Sequence, residues 1–295
     1  MPVKDVVADF EENNGVTLVE NYVQNISYLI GKAYTNMEKE IEYKLPKIED
    51  EIATVGIGMD GTCSYVGNNG WRETMVGTIS LYNKKGDRLH TIYVSEAPEY
   101  GKFSFKEIFT REINLIMDIV PTTAKIVGIA DGAKDNWTFL STFVETQIID
   151  FYHVSEYLAN VSKVVDLEDS DQQKEWLNNA CSQLKNETGS AEILLNEMKE
   201  LEAKPKIPKK TKDDLKRAIT YFSNHHQQMN YAEAINNNIP IGSGVTESAC
   251  KVLVKQRLCI SGARWSHLGA TCMLKLRAIN LTDGRWKQFW NRLVS

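Results

Sequence analysis

The chain has 295 residues, of which 42% are hydrophobic and 25% are charged, so it is long and apolar enough for one large domain or two smaller ones. It contains no apolar run long enough to cross a membrane, which excludes a membrane protein, and we expect no secretory leader. Its five scattered cysteines lack Cys-x-x-Cys spacing. They indicate neither a disulfide framework nor a structural zinc site, and we expect a cytoplasmic protein.

Charge is unevenly distributed along the chain. The net charge is −5, but residues 245–295 carry nine Lys or Arg against two acids, a net +7 that leaves −12 for the rest. A basic end on an acidic body is typical of proteins that bind a polyanion. A solvated helical surface explains the same count equally well at this stage.

The N-terminal part is predicted to be helical. Val19, Val23, Ile26 and Ile30 follow helical spacing, so we predict an amphipathic helix that starts near Thr17.

From about residue 52 to 150 the pattern changes to short apolar and β-branched runs. Strands are predicted at "IATVGIGMD", "ETMVGTISLY", "RLHTIYVSE", "AKIVGIAD" and "TQIIDFY", and helices at "SFKEIFTREINLIMDIV" and "NWTFLSTFV". Ser104 is the predicted N-cap of the first helix, with Glu107 completing a capping box. The order β-β-β-α-β-α-β predicts an α/β fold with a five-stranded mixed sheet flanked by helices.

No strand is predicted after Tyr152. An exposed basic linker is predicted at 204–212, because that stretch holds two prolines and five lysines. Helices are predicted at 153–165, 171–203, 213–235, 244–258 and 266–282.

Two acids follow predicted strands. Asp60 comes after the first strand, where an unpaired carboxylate is costly; a simple Asp-Gly turn with Gly61 is the alternative. Asp131 follows the fourth strand, again before a glycine. Since the first and fourth strands of this topology lie side by side and parallel, we expect Asp60 and Asp131 to meet. A divalent cation such as Mg²⁺ would relieve their repulsion.

A third acid, Glu247, lies in the first turn of the helix predicted after a Gly-Ser-Gly loop. The helix dipole favours a carboxylate there, so helix capping is an alternative. Lys251 and Lys255 follow at i+4 and i+8 on the same face, where a DNA backbone would meet a metal and two positive charges. Three such acids are typical of two-metal sites for in-line displacement at phosphorus. The predicted topology resembles that of ribonuclease H-like polynucleotidyl transferases.

Several longer strings resemble the ISKra-type insertion-sequence transposases of bacteria, an Asp-Asp-Glu family related to the Mutator-like elements. They are "MDGT", "RETMVGTISLYNKKGDRLHTIY", "GIADGAKDNW", "DFYHVSEYL", "IGSGVTESACKVLVKQRL" and "SGARWS". The resemblance implies that Asp60, Asp131 and Glu247 form a catalytic triad with two Mg²⁺ ions, for which Mn²⁺ can substitute. It implies DNA as partner, a homo-oligomer on DNA, and neither a membrane nor a small-molecule substrate.

The resemblance also implies an all-α insertion before the catalytic Glu helix. The expected division is a helical N-terminal segment (1–50), the first part of the ribonuclease H-like core (51–153), the insertion (154–240), and the Glu helix with basic C-terminal helices (241–295). Asp150 and His153 match a related-family pattern of an acid or Cys followed three residues later by His. An ordinary histidine at a strand-to-helix junction is the alternative to a role in positioning DNA.

DNA contacts are assigned to Lys251, Lys255, Arg257, Arg264 and Trp265. Arg264 would pair with phosphate and Trp265 would stack on a base, although packing at a domain edge is the alternative for this tryptophan. Trp286 and Trp290, at helical spacing, are predicted to be core residues.

Three functions remain open on the sequence. The first is a transposase that cleaves transposon ends and transfers strands. The second is a truncated or non-catalytic DNA-binding remnant, since "NNGVTLVENYVQNISYLIGK" looks like the latter part of a helix-turn-helix with only about 15 residues before it. The third, less favoured, is a repair or junction nuclease on the same fold.

Overall fold

The computed structural model of the chain describes residues 3–67, 70–166, 169–205 and 207–295. Parts of the predicted segments that fall in the gaps, including Lys206 of the basic linker, lie outside the described residues. None of the helices in the described part of the chain is both long and apolar enough to span a membrane.

The fold is α/β, with a five-stranded mixed sheet in the order β3-β2-β1-β4-β5. The β1–β2 and β2–β3 pairs are antiparallel, whereas β1–β4 and β4–β5 are parallel. The predicted sheet and the predicted pairing of the first and fourth strands are therefore confirmed. The strands are β1 Thr54–Tyr65, β2 Trp71–Tyr82, β3 Arg88–Glu96, β4 Lys125–Ala130 and β5 Thr146–Ile149.

Helices precede the sheet, flank its later strands and follow it. Those of the first half are α1 Val3–Asn14, α2 Glu20–Met37, α3 Phe103–Met117, α4 Lys134–Leu140 and α5 Phe151–Val165. The others are α6 Ser170–Asn186, α7 Ser190–Glu202, α8 Lys209–His225, α9 Tyr231–Asn236, α10 Gly244–Ala249, α11 Gln256–Leu258, α12 His267–Leu281 and α13 Arg285–Leu293. A π-helical segment, Cys250–Lys255, joins α10 to α11.

The first strand is longer than predicted, so both sequence interpretations of its end are wrong. Asp60 neither ends β1 nor forms a turn, because β1 continues to Tyr65. The reason is its partner: β2 pairs with β1 from Thr54↔Tyr82 to Tyr65↔Trp71 and supplies ladder hydrogen bonds over the whole length.

The predicted capping box of α3 is also wrong. The helix begins at Phe103, so Ser104 lies inside it and makes no side-chain cap. The backbone N–H of Ser104 donates to Glu99 Oε2 at 2.7 Å, while Glu107 pairs with Lys39 at 2.6 Å. A carboxylate upstream in the chain, that of Glu99, therefore satisfies the Ser104 N–H group that Glu107 was expected to bind.

Several predicted boundaries need correction. β5 ends at Ile149, and the aromatic pair that follows Asp150 begins α5. The basic linker is shorter than 204–212, since α8 already starts at Lys209. The stretch predicted as helix over 171–203 is divided between α6 and α7 at Gly189, whose φ of 79° is incompatible with a continuous helix.

One apolar core joins the sheet to the helices that follow it. Ile57 of β1, Phe109 of α3 and Leu158 of α5 belong to the same buried cluster as Leu195 of α7 and Phe222 of α8. The helices between β5 and α10 therefore pack with the sheet through shared apolar contacts.

A second buried cluster sets the position of the late helices. Cys250, Leu253 and Val254 of the π-helical segment pack with Val76 of β2 and Leu274 of α12. The apolar face of the Glu247 helix therefore points inward. Trp286 and Trp290, predicted to be core residues, are only partly buried and pack against the small cluster that contains Phe289.

Candidate active site

β1 and β4 place Asp60 and Asp131 at the same end of the sheet. Their parallel register runs from Thr54↔Lys125 to Ile57↔Gly128, and each acid lies three residues beyond the last pair. Asp131 directly follows β4. Both acids come to this end because the chain crosses over through α3 and returns parallel to β1.

The loop after β4 orients Asp131. Its Oδ1 accepts the backbone N–H of Ala133 at 3.1 Å and lies 3.4 Å from the Asn136 amide nitrogen. The indole N–H of Trp137 donates to the Asp131 backbone carbonyl at 2.6 Å. Residues of the first turn of α4 thus hold both the backbone and the side chain of this acid.

Glu247 reaches the site because α10 lies directly on the sheet. The hydroxyls of Thr246 and Thr78 of β2 form a buried hydrogen bond at 2.7 Å. Gly58 of β1 permits this approach, since a Cβ there would lie only 2.4 Å from Thr246 Oγ1. Glu247 itself is exposed, and its Oε1 accepts the hydroxyl proton of Ser243 at 2.9 Å.

The π-helical segment keeps two lysines in line with Glu247. A four-residue step overshoots an α-helical turn of about 3.6 residues but falls short of the wider, i→i+5-bonded π turn. The rotation around the helix axis from Glu247 to Lys251, in α geometry, is therefore offset by the rotation from Lys251 to Lys255, in π geometry. All three side chains line one cleft of about 870 Å³ together with Asp60.

Both oxygens of Asp60 have a hydrogen-bond donor. Oδ1 accepts the backbone N–H of Gly61 at 2.7 Å, and Oδ2 lies 3.5 Å from the thiol of Cys250. Burial raises the pKa of the Asp60 carboxyl, and the charges of Asp131 and Glu247 raise it further. The charges of both other acids therefore affect the ionisation of Asp60.

No cation of the described residues neutralises these three acids, since none of Asp60, Asp131 and Glu247 forms an ion pair there. Nor do any three His, Cys, Asp or Glu side chains of the described ranges lie close enough to hold one metal ion together. Magnesium commonly binds through only one or two carboxylates, waters and a substrate phosphate. Carboxylate oxygens are the donors that such an ion prefers, so the chemistry of the three side chains fits magnesium.

Asp150 and His153 differ in exposure. Asp150 is fully buried; it caps α5 by accepting the His153 backbone N–H at 3.0 Å, and it also accepts the Ser243 backbone N–H. The His153 ring lines the cleft, with Nδ1 3.6 Å from Glu156 Oε2. Asp150 therefore holds the loop before α10, while the DNA-positioning role of His153 stays a prediction.

The predicted DNA-contacting residues occupy two places. Lys251 and Lys255 are exposed in the cleft. The Arg257 guanidinium lies 5.0 Å from the centre of the Trp265 ring, and Arg264 is exposed next to it. Trp265 packs against the second buried cluster, so the packing alternative describes its position, and base stacking by this ring stays a prediction.

The C-terminal charge count overstates the basic surface. Lys275 is buried between Glu38 and Glu96, at 2.6 and 3.1 Å, and Arg285 is buried in an ion pair with Glu112. Arg277 donates to backbone carbonyls of the π-helical segment. Three of the nine basic residues thus have internal partners and do not contribute free positive charge to the surface.

Three residues of the site were not singled out from the sequence. Ser243 holds Glu247, Cys250 donates to Asp60, and Tyr152 is 69% exposed at the edge of the cleft. The i→i+4 spacing of Ser243 and Glu247 was a usable signal. For Cys250 the sequence offered none, because its partner lies 190 residues away.

No protein-family model matches the chain, and no curated protein matches it.

Proposed function

We propose that this chain is a ribonuclease H-like polynucleotidyl transferase, the DNA transposase of an insertion sequence. The observation that carries the proposal is geometric: Asp60 and Glu247 line one cleft with Lys251 and Lys255, and Asp131 directly follows β4, the strand beside β1. The strand order of the sheet suits the ribonuclease H-like fold. The positions of the three acids also suit it, since they lie on β1, after β4 and on a late helix. The strings that resemble ISKra-type transposases favour transposition over repair.

The donor set favours Mg²⁺, with Mn²⁺ as a substitute. Asp60, Asp131 and Glu247 would hold the ions between them once the three carboxylates draw closer together than they lie among the described residues, where no three such side chains surround one metal position. When bound, the ions would activate the attacking oxygen and stabilise the leaving one during displacement at phosphorus.

The chain's own residues position these parts. The Lys251 and Lys255 ammonium groups bind backbone phosphates across the cleft. Gly61 and Cys250 orient the Asp60 carboxylate, and Ser243 orients that of Glu247. Water first cleaves the phosphodiester bond and leaves a 3′-hydroxyl. That hydroxyl then attacks a target phosphodiester, so that one P–O bond forms as another breaks, with no covalent protein–DNA intermediate.

The proposal is tested with the full chain and duplexes that carry the inverted repeats flanking its reading frame. We expect Mg²⁺- or Mn²⁺-dependent nicking and strand transfer. Asp131→Asn should abolish both while gel shifts show unchanged DNA binding, whereas Asp135→Asn, an exposed acid in the next helix, should leave both intact. A DNA-binding remnant would bind without cleaving in either form, and that result would exclude the enzyme.

We further propose that the protein acts on DNA in the cytoplasm as a homo-oligomer, because two transposon ends must be joined. Light scattering of the protein with and without end DNA measures this. A complex containing one chain per end-bearing duplex, with no pairing of ends, would contradict it.

A further inference from the structure

A second concavity lies between the N-terminal helices and the C-terminal region. It has a volume of about 530 Å³, within the range of roughly 300–1,000 Å³ typical of small-ligand pockets. We call it the α2 pocket. Its opposite sides are formed by Gln24, Ser27 and Tyr28 of α2 and by Arg257, Arg264 and Trp265.

The α2 pocket carries excess positive charge. Lys4, Arg257 and Arg264 line it against one acid, Glu20. Within the described ranges, none of these three cations has an ion-pair partner. An anion would therefore enter without displacing an existing ion pair.

The pocket also offers flat apolar surface and polar groups. Tyr28 and Trp265 present aromatic rings, and Ile260 and Met273 line the wall near them. The Gln24 side chain can donate and accept hydrogen bonds, and the Ser27 hydroxyl, which donates to the Val23 carbonyl at 3.0 Å, can accept one. Aromatic rings beside unpaired arginines are the combination that binds a nucleobase and its phosphate.

The α2 pocket adjoins the candidate active site along one helix. Lys255 and Gln256 line the cleft of the candidate active site, and the next residue, Arg257, lines the α2 pocket. A DNA strand whose phosphates contact Lys251 and Lys255 would therefore reach Arg257 as it leaves the cleft.

We propose that the α2 pocket binds an unpaired nucleotide at the end of the DNA strand that leaves the active-site cleft. This inference rests on the proposed function. The base packs against Tyr28, and Arg264 and Arg257 bind its phosphate. The N-terminal helices thereby take part in recognising the DNA end.

The test is a binding measurement without divalent metal, so that catalysis plays no part. Fluorescence anisotropy compares a blunt end duplex with the same duplex carrying a short single-stranded extension. We expect the wild-type chain to prefer the extended duplex by roughly five- to tenfold, the effect of about one stacked base. Tyr28→Ala and Arg264→Ala should each remove most of that preference.

The matched controls are Tyr22→Ala, a more exposed tyrosine of the same helix, and Arg292→Ala, an exposed arginine; neither lines the α2 pocket. Both should keep the preference, and circular dichroism should show all four variants folded. Equal binding of the two duplexes by the wild type, or an unchanged preference in Tyr28→Ala and Arg264→Ala, would overturn the inference.

A competition arm distinguishes the source of the nucleotide. In this arm, free deoxynucleoside monophosphate competes with the extended duplex for the chain. If the free nucleotide displaces the duplex at a concentration lower than that of the DNA, the α2 pocket prefers a free nucleotide, and the assignment to a strand end is overturned. A nicking assay with Mg²⁺ tests the proposed function separately from this binding measurement. A chain that prefers the extension but never nicks DNA with Mg²⁺ retains the α2 pocket site and loses the enzyme assignment.

Discussion

The buried carboxylate of Asp150 accepts the backbone N–H of Ser243, a residue 93 positions later in the chain. Asp150 also caps α5 through the His153 N–H, and the Ser243 hydroxyl donates to Glu247. A fully buried acid at the end of the sheet is thus connected by two hydrogen bonds to the exposed acid of the candidate active site.

Replacing Asp150 should therefore weaken both the fold and the site. In Asp150→Asn, one of the two N–H groups faces an amide NH₂ instead of an oxygen, so we expect a loss of roughly 2–3 kcal/mol in the free energy of unfolding. Urea denaturation measures it. Asp169→Asn is the matched control, because Asp169 caps α6 in solvent and Asn is an equally good cap there. If both variants lost the same free energy of unfolding, the loss in Asp150→Asn could not be attributed to the burial of Asp150.

Ser243→Ala separates positioning from folding. It removes the hydroxyl that holds Glu247 but keeps the N–H that Asp150 accepts. We expect a nearly unchanged unfolding midpoint and strand cleavage slowed by roughly tenfold or more, as for a lost hydrogen bond to a charged group. Ser248→Ala, an exposed serine next to Glu247, should cleave normally. Normal cleavage by Ser243→Ala would show that Glu247 needs no such support.

Asp60→Asn should stabilise the metal-free protein at neutral pH. The folded-state pKa of Asp60 is raised by burial and by Asp131 and Glu247, so the ionised carboxylate opposes folding. This penalty is absent below the ordinary pKa of about 3.8, and it grows as the pH rises from there to the folded-state pKa. The stability gain of Asp60→Asn should follow the same course.

Urea midpoints in EDTA from about pH 4 to pH 7 measure this gain. Exposed Asp135, replaced by Asn, serves as the control. Added Mg²⁺ should raise the midpoint of the wild type more than that of Asp60→Asn, since only the wild type keeps this carboxylate. A variant less stable than the wild type at neutral pH would refute the electrostatic account of the site.

Lys275→Ala should unfold the protein rather than merely weaken DNA binding. It leaves Glu38 and Glu96 buried without a cation, which we expect to lower the free energy of unfolding by roughly 3–5 kcal/mol. Lys287→Ala, at an exposed lysine, should leave the unfolding midpoint unchanged. A triple variant, Lys275→Met with Glu38→Gln and Glu96→Gln, should recover part of the loss. A stable Lys275→Ala with weakened DNA binding would place this lysine on the surface.

Gly58→Ala tests how closely α10 approaches the sheet. The new Cβ would lie 2.4 Å from Thr246 Oγ1 and 3.1 Å from the Ile129 carbonyl. We expect a loss of roughly 1–3 kcal/mol and reduced cleavage, because overpacking pushes the Glu247 helix outward. Gly244→Ala, where a Cβ would meet nothing within 4 Å, is the control. Adding Thr246→Ala to Gly58→Ala should restore part of the stability, and a purely additive double variant would exclude this contact.

The elements were largely predictable because their signals are local. β3 occupies the predicted "RLHTIYVSE", and the alternation of strands and helices after it predicted the parallel pairing that places Asp60 and Asp131 at the same end of the sheet. The length of β1 was not predictable, since it depends on β2 as a partner. The N-terminus of α3 was misjudged for a similar reason, because Glu99 accepts the Ser104 N–H in place of Glu107.

The sequence alone determined the types of the elements, their order and the three acids, because apolar periodicity and the position of an acid after an apolar run are properties of neighbouring residues. Only the tertiary structure decided which charges face solvent. Lys275 reads like any other lysine of the basic C-terminal region, yet it is buried against a glutamate 237 positions away. Burial and pairing depend on contacts between distant parts of the chain, and those contacts exist only once the helices have packed on the sheet.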